Sequence, residues 1–306
     1  MAEASCRLRA GQYPGLRHGW LAALVLLLLG LSFLGTAAGA TTITDDRGHR
    51  VSLAGVPARI VSVYPSLTEM VCQLGHCDRL VGVDRYSNFP PPVRALPRVG
   101  GGLDPSVEAI VALRPDLVLL ATSSPVAARL ESLGLVVLAL EPKQYADVRR
   151  VLEIMGQVLD ARAQARRLWA DIDAGVDAAA RSLPPSVRGA RVYFEVNAAP
   201  YAAGESSFIG ETLQRLGLRN IVPRELGPFP RISPEFVVRA DPDLIMVGDA
   251  GFAGMAQRPG WTRMRAIENK RVCVFEPAVA DILVRAGPRI AEAAQAIARC
   301  ASGHLP

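Results

Sequence analysis

The feature that most constrains this chain is an internal repeat. Residues 108–118 (EAIVALRPDLV) align without a gap on residues 235–245 (EFVVRADPDLI), and the copies share the glutamate, the Pro-Asp-Leu triplet and the apolar positions. Upstream, Leu74-Gly75 is matched by Leu216-Gly217. A repeated unit of this size predicts two lobes that are built alike. Short apolar helices that end before a Pro-Asp turn are common, so chance similarity is the alternative.

Strand and helix patterns alternate within the first copy. Residues 59–64, 80–83 and 117–120 are predicted strands, and the last of these is apolar throughout, as strands buried on both faces are. A helix is predicted between the first two strands, with Ser66 and Glu69 at the spacing of a capping box. This alternation favours an α/β lobe with a largely parallel sheet.

A helical stretch separates the two copies. Residues 145–159 carry apolar side chains at helical spacing, and residues 161–182 follow as a second helix that contains no proline. The second helix would be about 33 Å long at 1.5 Å per residue. The predicted fold is therefore α/β, with two similar lobes whose sheets are largely parallel, one long rigid α-helix joining them, and a ligand cleft between them. The expected segments are a leader at 1–40, an N-terminal lobe at 41–144, a helical linker at 145–185 and a C-terminal lobe at 186–306.

The leader has the pattern of a secretory signal peptide. Three arginines precede an apolar run over residues 20–33, which is shorter than the roughly 20 residues that span a bilayer. Ala38 and Ala40 occupy the small-residue positions before a cleavage point. We expect a mature chain from Thr41 in the periplasm, and an uncleaved anchor is the alternative. The net charge of +5 is small and includes no basic run, so nucleic acid is not an expected partner.

Four cysteines follow the leader, an even number in a compartment that permits disulfides. The sequence does not decide their pairing. We favour Cys72 with Cys77, which flank a predicted helix end, and Cys273 with Cys300, which would tie a strand to the last helix. Free buried thiols are the alternative, because an unpaired cysteine packs as a small hydrophobe.

Neither a catalytic nor a metal centre is predicted. His49, His76 and His304 are scattered, and none stands beside a nucleophile motif. Cys72, His76 and Cys77 are close together, but zinc requires three or four protein ligands and no second cluster matches them. We therefore expect a protein without catalysis, resident metal or cofactor.

Aromatic residues follow several predicted strands, where open α/β sheets bind ligands. Tyr86 begins the loop at 86–92 (YSNFPPP), Tyr201 follows a strand of the second lobe, and Phe229 lies between two prolines. Rings offer a large flat contact area at little entropic cost, which suits a big planar ligand. Ordinary packing is the alternative for each ring taken singly.

Glu108 and Glu235 occupy matched positions in the first turn of the repeated helix. A carboxylate there interacts favourably with the helix dipole, which is a sufficient local explanation. Matched on two lobes, the pair could also dock two basic patches of a two-fold symmetric partner.

Four segments carry a family resemblance: residues 59–62 (RIVS), 86–90 (YSNFP), 110–117 (IVALRPDL) and 287–290 (GPRI). With these, the chain resembles the periplasmic binding proteins of the cobalamin and ferric-siderophore ABC importers, and the cobalamin binders most. The resemblance implies lobes joined by a stiff helix and a ligand gripped between them with little movement.

The resemblance also implies roles for single residues. Tyr86, Tyr201 and Phe229 would line the corrin pocket, and Asp281 and Arg285 would make polar contacts. It further implies that Glu108 and Glu235 form salt bridges with arginines of an inner-membrane ABC permease dimer.

The resemblance is incomplete at the pocket. Gly102 and Thr122 stand where we expect tryptophans in cobalamin binders. The expected function is capture of a corrinoid, cobalamin or cobinamide, by a monomeric binding protein. A ferric siderophore or haem is the alternative bulky ligand. A metal-ion receptor, which would bind through clustered histidines, and an extracytoplasmic enzyme are the competing classes.

Overall fold

The computed structural model describes residues 41–197, 201–248 and 255–303. The predicted leader at 1–40 lies outside the described residues. Within the described part of the chain, no helix is both long enough and apolar enough to span a bilayer. The described chain begins with an antiparallel pair of strands, β1 (Thr41–Thr44) and β2 (Arg50–Leu53).

The N-terminal lobe contains a four-stranded parallel sheet in the order β4-β3-β5-β6. Its elements are β3 (Ile60–Ser62), α1 (Pro65–Gln73), β4 (Leu80–Val83), α2 (Val107–Ala112), β5 (Leu117–Leu120), α3 (Ala127–Ser132) and β6 (Val137–Ala139). Every residue of β3, β5 and β6 is buried, and all of them except Ser62 are apolar, as expected of strands that are covered on both faces.

Two helices connect the lobes, α4 (Tyr145–Val158) and α5 (Arg162–Ser182). The 21 residues of α5 extend about 32 Å at 1.5 Å per residue. Ala165, Ile172 and Val176 of α5 are buried, and α5 packs closely against the last helix of the chain. The long helix predicted from the sequence is therefore confirmed.

The C-terminal lobe repeats the strand order of the first. Its strands β9, β7, β10 and β11 are parallel and adjacent in that order, and β8 pairs antiparallel with β7. Its elements are β7 (Arg191–Asn197), β8 (Tyr201–Ala202), α6 (Phe208–Arg215), β9 (Arg219–Asn220), α7 (Pro234–Ala240), β10 (Leu244–Gly248), α8 (Arg265–Glu268), β11 (Val272–Phe275), α9 (Pro277–Leu283) and α10 (Ile290–Ala301). The prediction of two similar α/β lobes is confirmed.

The repeat has a structural basis in its Pro-Asp turn. The Asp116 carboxylate accepts hydrogen bonds from the backbone N–H groups of Ala58 and Arg59, at 2.8 and 2.9 Å. Asp243, its counterpart, accepts one from the N–H of Arg191 at 2.9 Å. In each lobe the aspartate thus joins the turn before a central strand to the start of the first strand of the parallel sheet, which is β3 or β7. Because both lobes make this contact, both carry the same Pro-Asp turn.

The predicted capping box is wrong. Helix α1 begins with Pro65 at N1, and its N-cap, Tyr64, makes no side-chain capping bond. Proline at N1 is already set to a helical φ. Ser66 therefore lies inside the first turn, and Glu69 lies two residues beyond the N3 position from which a side chain reaches back to the N-cap. Glu69 points instead toward the C-terminal lobe.

Both favoured cysteine pairings are confirmed as disulfides. Cys72 of α1 bonds Cys77 across the helix end, with Cα atoms 4.0 Å apart. Cys273 of β11 bonds Cys300 of α10, with Cα atoms 5.9 Å apart. The second bond links the edge strand of the C-terminal sheet to the helix that packs along α5.

Candidate functional site: the cleft between the lobes

The site lies at the carboxyl ends of the strands of the N-terminal sheet. The strand order β4-β3-β5-β6 places the residues that follow these strands in a row: Tyr86, Tyr64, Thr122 and Glu141. Open parallel sheets bind ligands at this edge because the connecting loops leave a crevice there. The segment from α9 to the start of α10 brings C-terminal residues against one end of the row.

A cavity of about 250 Å³ joins the two lobes at that end. Tyr64, Pro65, Ser66 and Tyr86 line it from the N-terminal lobe, and Asp281, Val284 and Arg285 line it from the C-terminal lobe. Tyr86 is 60% exposed and Val284 is 40% exposed, so both present apolar surface to a ligand in the cavity. Three of the five predicted ligand contacts, Tyr86, Asp281 and Arg285, are therefore neighbours.

Arg285 is buried and fully engaged with protein groups. Its guanidinium donates to Glu69 at 2.8 Å, to the Asn88 amide oxygen at 2.9 Å and to the Tyr86 carbonyl at 2.9 Å, and it pairs with Asp281 at 3.0 Å. The Asn88 amide nitrogen donates to Asp281 at 2.7 Å. Arg285 thus positions the loop that carries Tyr86, and Asp281 is the more exposed member of the pair.

Burial dominates the electrostatics beneath this loop. Desolvation raises the pKa of Glu69, and the Arg285 guanidinium acts in the opposite direction. Desolvation also raises the pKa of Asp84, which is opposed by hydrogen bonds from Ser87 and from the Tyr86 N–H. The backbone of Tyr86 is held on both sides, because its N–H donates to Asp84 at 3.2 Å and its carbonyl accepts from Arg285 at 2.9 Å.

Tyr201 and Phe229 lie together on the C-terminal lobe and are not part of the cavity at Tyr86. The N–H of Ala202 donates to the Pro230 carbonyl at 3.0 Å, which pairs the two segments side by side. Tyr201 is 41% exposed. Phe229 is partly buried, and its ring centroid is 6.0 Å from that of Phe208.

The far end of the row carries polar groups that the sequence analysis did not predict. Glu141 follows β6, and its carboxylate accepts hydrogen bonds from the hydroxyls of Thr122 and, at 3.4 Å, Ser123. Burial, together with the charge of Glu141, raises the pKa of the Tyr64 phenol to about 12. The available signal was positional, because Glu141 is the first charged residue after the apolar run at 136–140.

Glu108 and Glu235 are exposed at the start of α2 and α7. Each helix runs back from the carboxyl edge of its sheet, so both carboxylates lie on the cleft side of their lobes. Their helices are capped alike: the Ser106 hydroxyl oxygen accepts a hydrogen bond from the N–H of Ala109, and that of Ser233 accepts one from the N–H of Phe236. Hydrogen bonds from its own backbone N–H and from Ser233 lower the pKa of Glu235.

No three His, Cys, Asp or Glu side chains of the described residues are grouped so as to hold a metal ion. Cys72 and Cys77, considered above as ligands, are bonded to each other.

Comparison with known proteins places these features in a family. A family model described as periplasmic binding protein matches residues 60–279. The uncharacterized ABC transporter substrate-binding lipoprotein YvrC of Bacillus subtilis is 29% identical over 84% of this chain and 84% of its own length. The cobalamin-binding protein of Halobacterium salinarum is 30% identical over 68% of this chain, but the match spans only 58% of that relative.

A solved structure shares the fold. The periplasmic haem-binding protein of Pseudomonas aeruginosa superposes with a TM-score of 0.70 at 27% identity, covering 82% of this chain and 94% of that one. The match to the family model takes in the strands of both parallel sheets and the long helix between them. This chain therefore belongs to the periplasmic binding protein family.

Proposed function

We propose that this protein captures a corrinoid, cobalamin or cobinamide, in the cleft between its lobes and delivers it to an inner-membrane ABC permease. One observation carries the proposal: Tyr86 of one lobe and Asp281 and Val284 of the other line the same cavity. A ligand held there contacts both lobes at once. The names of the Bacillus subtilis and Halobacterium salinarum relatives support an importer and a corrinoid, respectively.

The shape of the site suits a ligand larger than the cavity. A volume of about 250 Å³ is below the usual range of small-molecule pockets, which begins at about 300 Å³. A corrinoid seated against Tyr86 extends along the row of loops toward Thr122 and across to Tyr201 and Phe229. The aromatic faces provide apolar contact area, and the Asp281 carboxylate orients the ligand by a polar contact.

Calorimetric titration of the chain from Thr41 onward tests the ligand. Cyanocobalamin, cobinamide, haem and a ferric siderophore are titrated in parallel, and we expect one-to-one binding of a corrinoid. Tyr86→Ala should weaken that binding by tenfold or more, whereas Tyr145→Phe, on the linker helix, should not. Failure of both corrinoids to bind would overturn the corrinoid assignment.

Glu108 and Glu235 are proposed as the docking contacts for the permease. Both are exposed, lie on the cleft side and occupy equivalent positions, which is the arrangement a two-fold symmetric partner requires. Glu108→Lys with Glu235→Lys should abolish uptake by the reconstituted importer and leave ligand affinity unchanged. The matched control is Glu153→Lys with Glu268→Lys, which reverses two other exposed charges. Unchanged uptake by the first pair would refute the docking role.

Haem is the second candidate ligand. The Pseudomonas aeruginosa structure is that of a haem-binding protein. Tyr86 and Tyr201 are exposed phenols, and phenolate oxygen can ligate haem iron. Tight haem binding with a charge-transfer band that Tyr86→Phe or Tyr201→Phe removes would favour haem over a corrinoid.

A further inference from the structure

Within the described part of the chain, Glu141 is a carboxylate at the cleft that pairs with no cation. It is half-buried, and its backbone N–H donates to Asp46 at 2.8 Å, which fixes the residue at the end of β6. The hydroxyls of Thr122 and Ser123 contact its two oxygens. Among the residues that the structure describes, no lysine or arginine forms an ion pair with it.

Three of the four fully buried carboxylates of the described chain pair with an arginine, and the fourth, Asp84, accepts a hydrogen bond from the Tyr86 N–H at 3.2 Å. Asp45 pairs with Arg47 at 2.8 Å, Glu69 with Arg285 at 2.8 Å, and Glu195 with Arg258 at 2.8 Å. Withdrawing a carboxylate from water without a cation is unfavourable, so the half-buried Glu141 gains from a ligand that completes its hydrogen bonds. A carboxylate has about four acceptor sites, and two hydroxyls leave half of them open.

Tyr64 connects Glu141 to the cavity. It is the second residue after β3, lies between Tyr86 and Thr122 in the row of loops, and lines the cavity itself. The charge of Glu141 contributes to the raised pKa of the phenol. Glu141 is thus placed to meet a ligand that extends from the cavity along the sheet edge.

We propose that Glu141 selects the ligand by charge, accepting hydrogen bonds from amide N–H groups on the ligand's rim and repelling carboxylates. This inference rests on the proposed capture of a bulky ligand in the cleft, and it names the peripheral chemistry that the cleft prefers. A corrinoid carries primary amides around its ring, whereas haem carries two propionates. A carboxylate that accepts hydrogen bonds from amides favours the corrinoid. With haem, the propionate is repelled by the Glu141 carboxylate or is left without a hydrogen-bond donor.

Two matched ligand pairs test the inference. Cobinamide is compared with cobyrinic acid, which has carboxylates in place of the amides, and haem is compared with its dimethyl ester. Wild-type protein should bind the uncharged-rim member of each pair more tightly. Glu141→Gln, which keeps the shape and an acceptor for Thr122, should reduce that preference about tenfold, mainly through tighter binding of the carboxylate member. Glu153→Gln on α4 is the control and should leave the preference unchanged.

The two proposals fail differently. An unaltered preference in Glu141→Gln, with binding intact, overturns the role of Glu141 and leaves the capture function standing. Binding of the haem pair but of neither corrinoid overturns the corrinoid assignment, while the haem pair still reports on Glu141. Binding of none of the four compounds overturns both. The control for misfolding is the melting temperature of Glu141→Gln, which should equal that of the wild-type protein.

Discussion

The ion pair between Glu69 and Arg285 should be the most costly single contact to break. It joins residues 216 positions apart, one on α1 and one just after α9, and the side chains are 2% and 9% exposed. Removing one partner from a buried pair leaves an uncompensated charge, which typically destabilises a protein by about 3 to 5 kcal/mol. Arg285→Met keeps the apolar stem but removes the guanidinium, so we expect a loss in this range.

The assay is urea unfolding of the chain from Thr41 onward, followed by circular dichroism, for a double-mutant cycle. Glu69→Gln added to Arg285→Met should recover at least about 2 kcal/mol, because the stranded charge is then gone. The matched control is Arg149→Met, which breaks an exposed pair with Glu153 at the same 2.8 Å and should cost less than about 1 kcal/mol.

The pH dependence provides a second check. Burial already raises the pKa of Glu69 above its ordinary value of 4.5, and loss of Arg285 raises it further. The folded state of Arg285→Met therefore binds the Glu69 proton more tightly than the unfolded state, so the variant loses stability as pH rises above 4.5. The deficit relative to wild type should shrink as pH falls toward 4.5. A loss below 1 kcal/mol at pH 7, or one independent of pH, would refute the reasoning.

Three further predictions concern other parts of the fold. Replacing Cys273 and Cys300 by serine opens a loop of 27 residues' separation and should lower the free energy of unfolding by about 3.5 kcal/mol, measured by urea titration; no change on reduction would contradict this. The pKa of Tyr64 is raised from 10.0 to about 12, so the folded state holds the phenol proton more tightly than the unfolded state does. Wild type should therefore lose stability relative to Tyr64→Phe as pH rises from 10 to 12, and parallel curves of stability against pH would argue against a buried phenol. A Cβ on Gly287 would lie 3.1 Å from the Ser66 Cβ, so Gly287→Leu should lower the melting temperature. The control is Gly55→Leu, where no atom lies within 4 Å of the added Cβ and no such loss is expected. Equal effects of the two substitutions would exclude tight packing of the lobes at Gly287.

Most of the fold could be predicted because its determinants are local. The repeat of Pro-Asp-Leu at 115–117 and 242–244 marks the turn that leads into β5 and into β10. The apolar run at 117–120 predicted a strand buried on both faces. The long helix α5 follows from an alanine-rich stretch without proline. Each of these is written in the spacing of neighbouring residues, which is what a sequence pattern records.

The site could be predicted only in part. The aromatic loops after the strands were visible as loops, and Tyr86 does lie beside Asp281 and Arg285. The interpretation of Glu69 was wrong, since its spacing from Ser66 fitted a capping box while its side chain bonds Arg285 on the other lobe. The only sequence signal for Glu141 was its position as the first charged residue after the apolar run at 136–140.

The sequence by itself determined two α/β lobes, the helix between them and the Pro-Asp turn that each lobe contains. Only the tertiary structure decided which lobe residues meet. The Glu69–Arg285 pair, the cavity at Tyr86 and the isolation of Glu141 all depend on where the segment after α9 and the loop after β6 come to rest in space. Contacts between distant residues arise from the packing of whole elements, and that packing is a property of the complete core that local spacing does not contain.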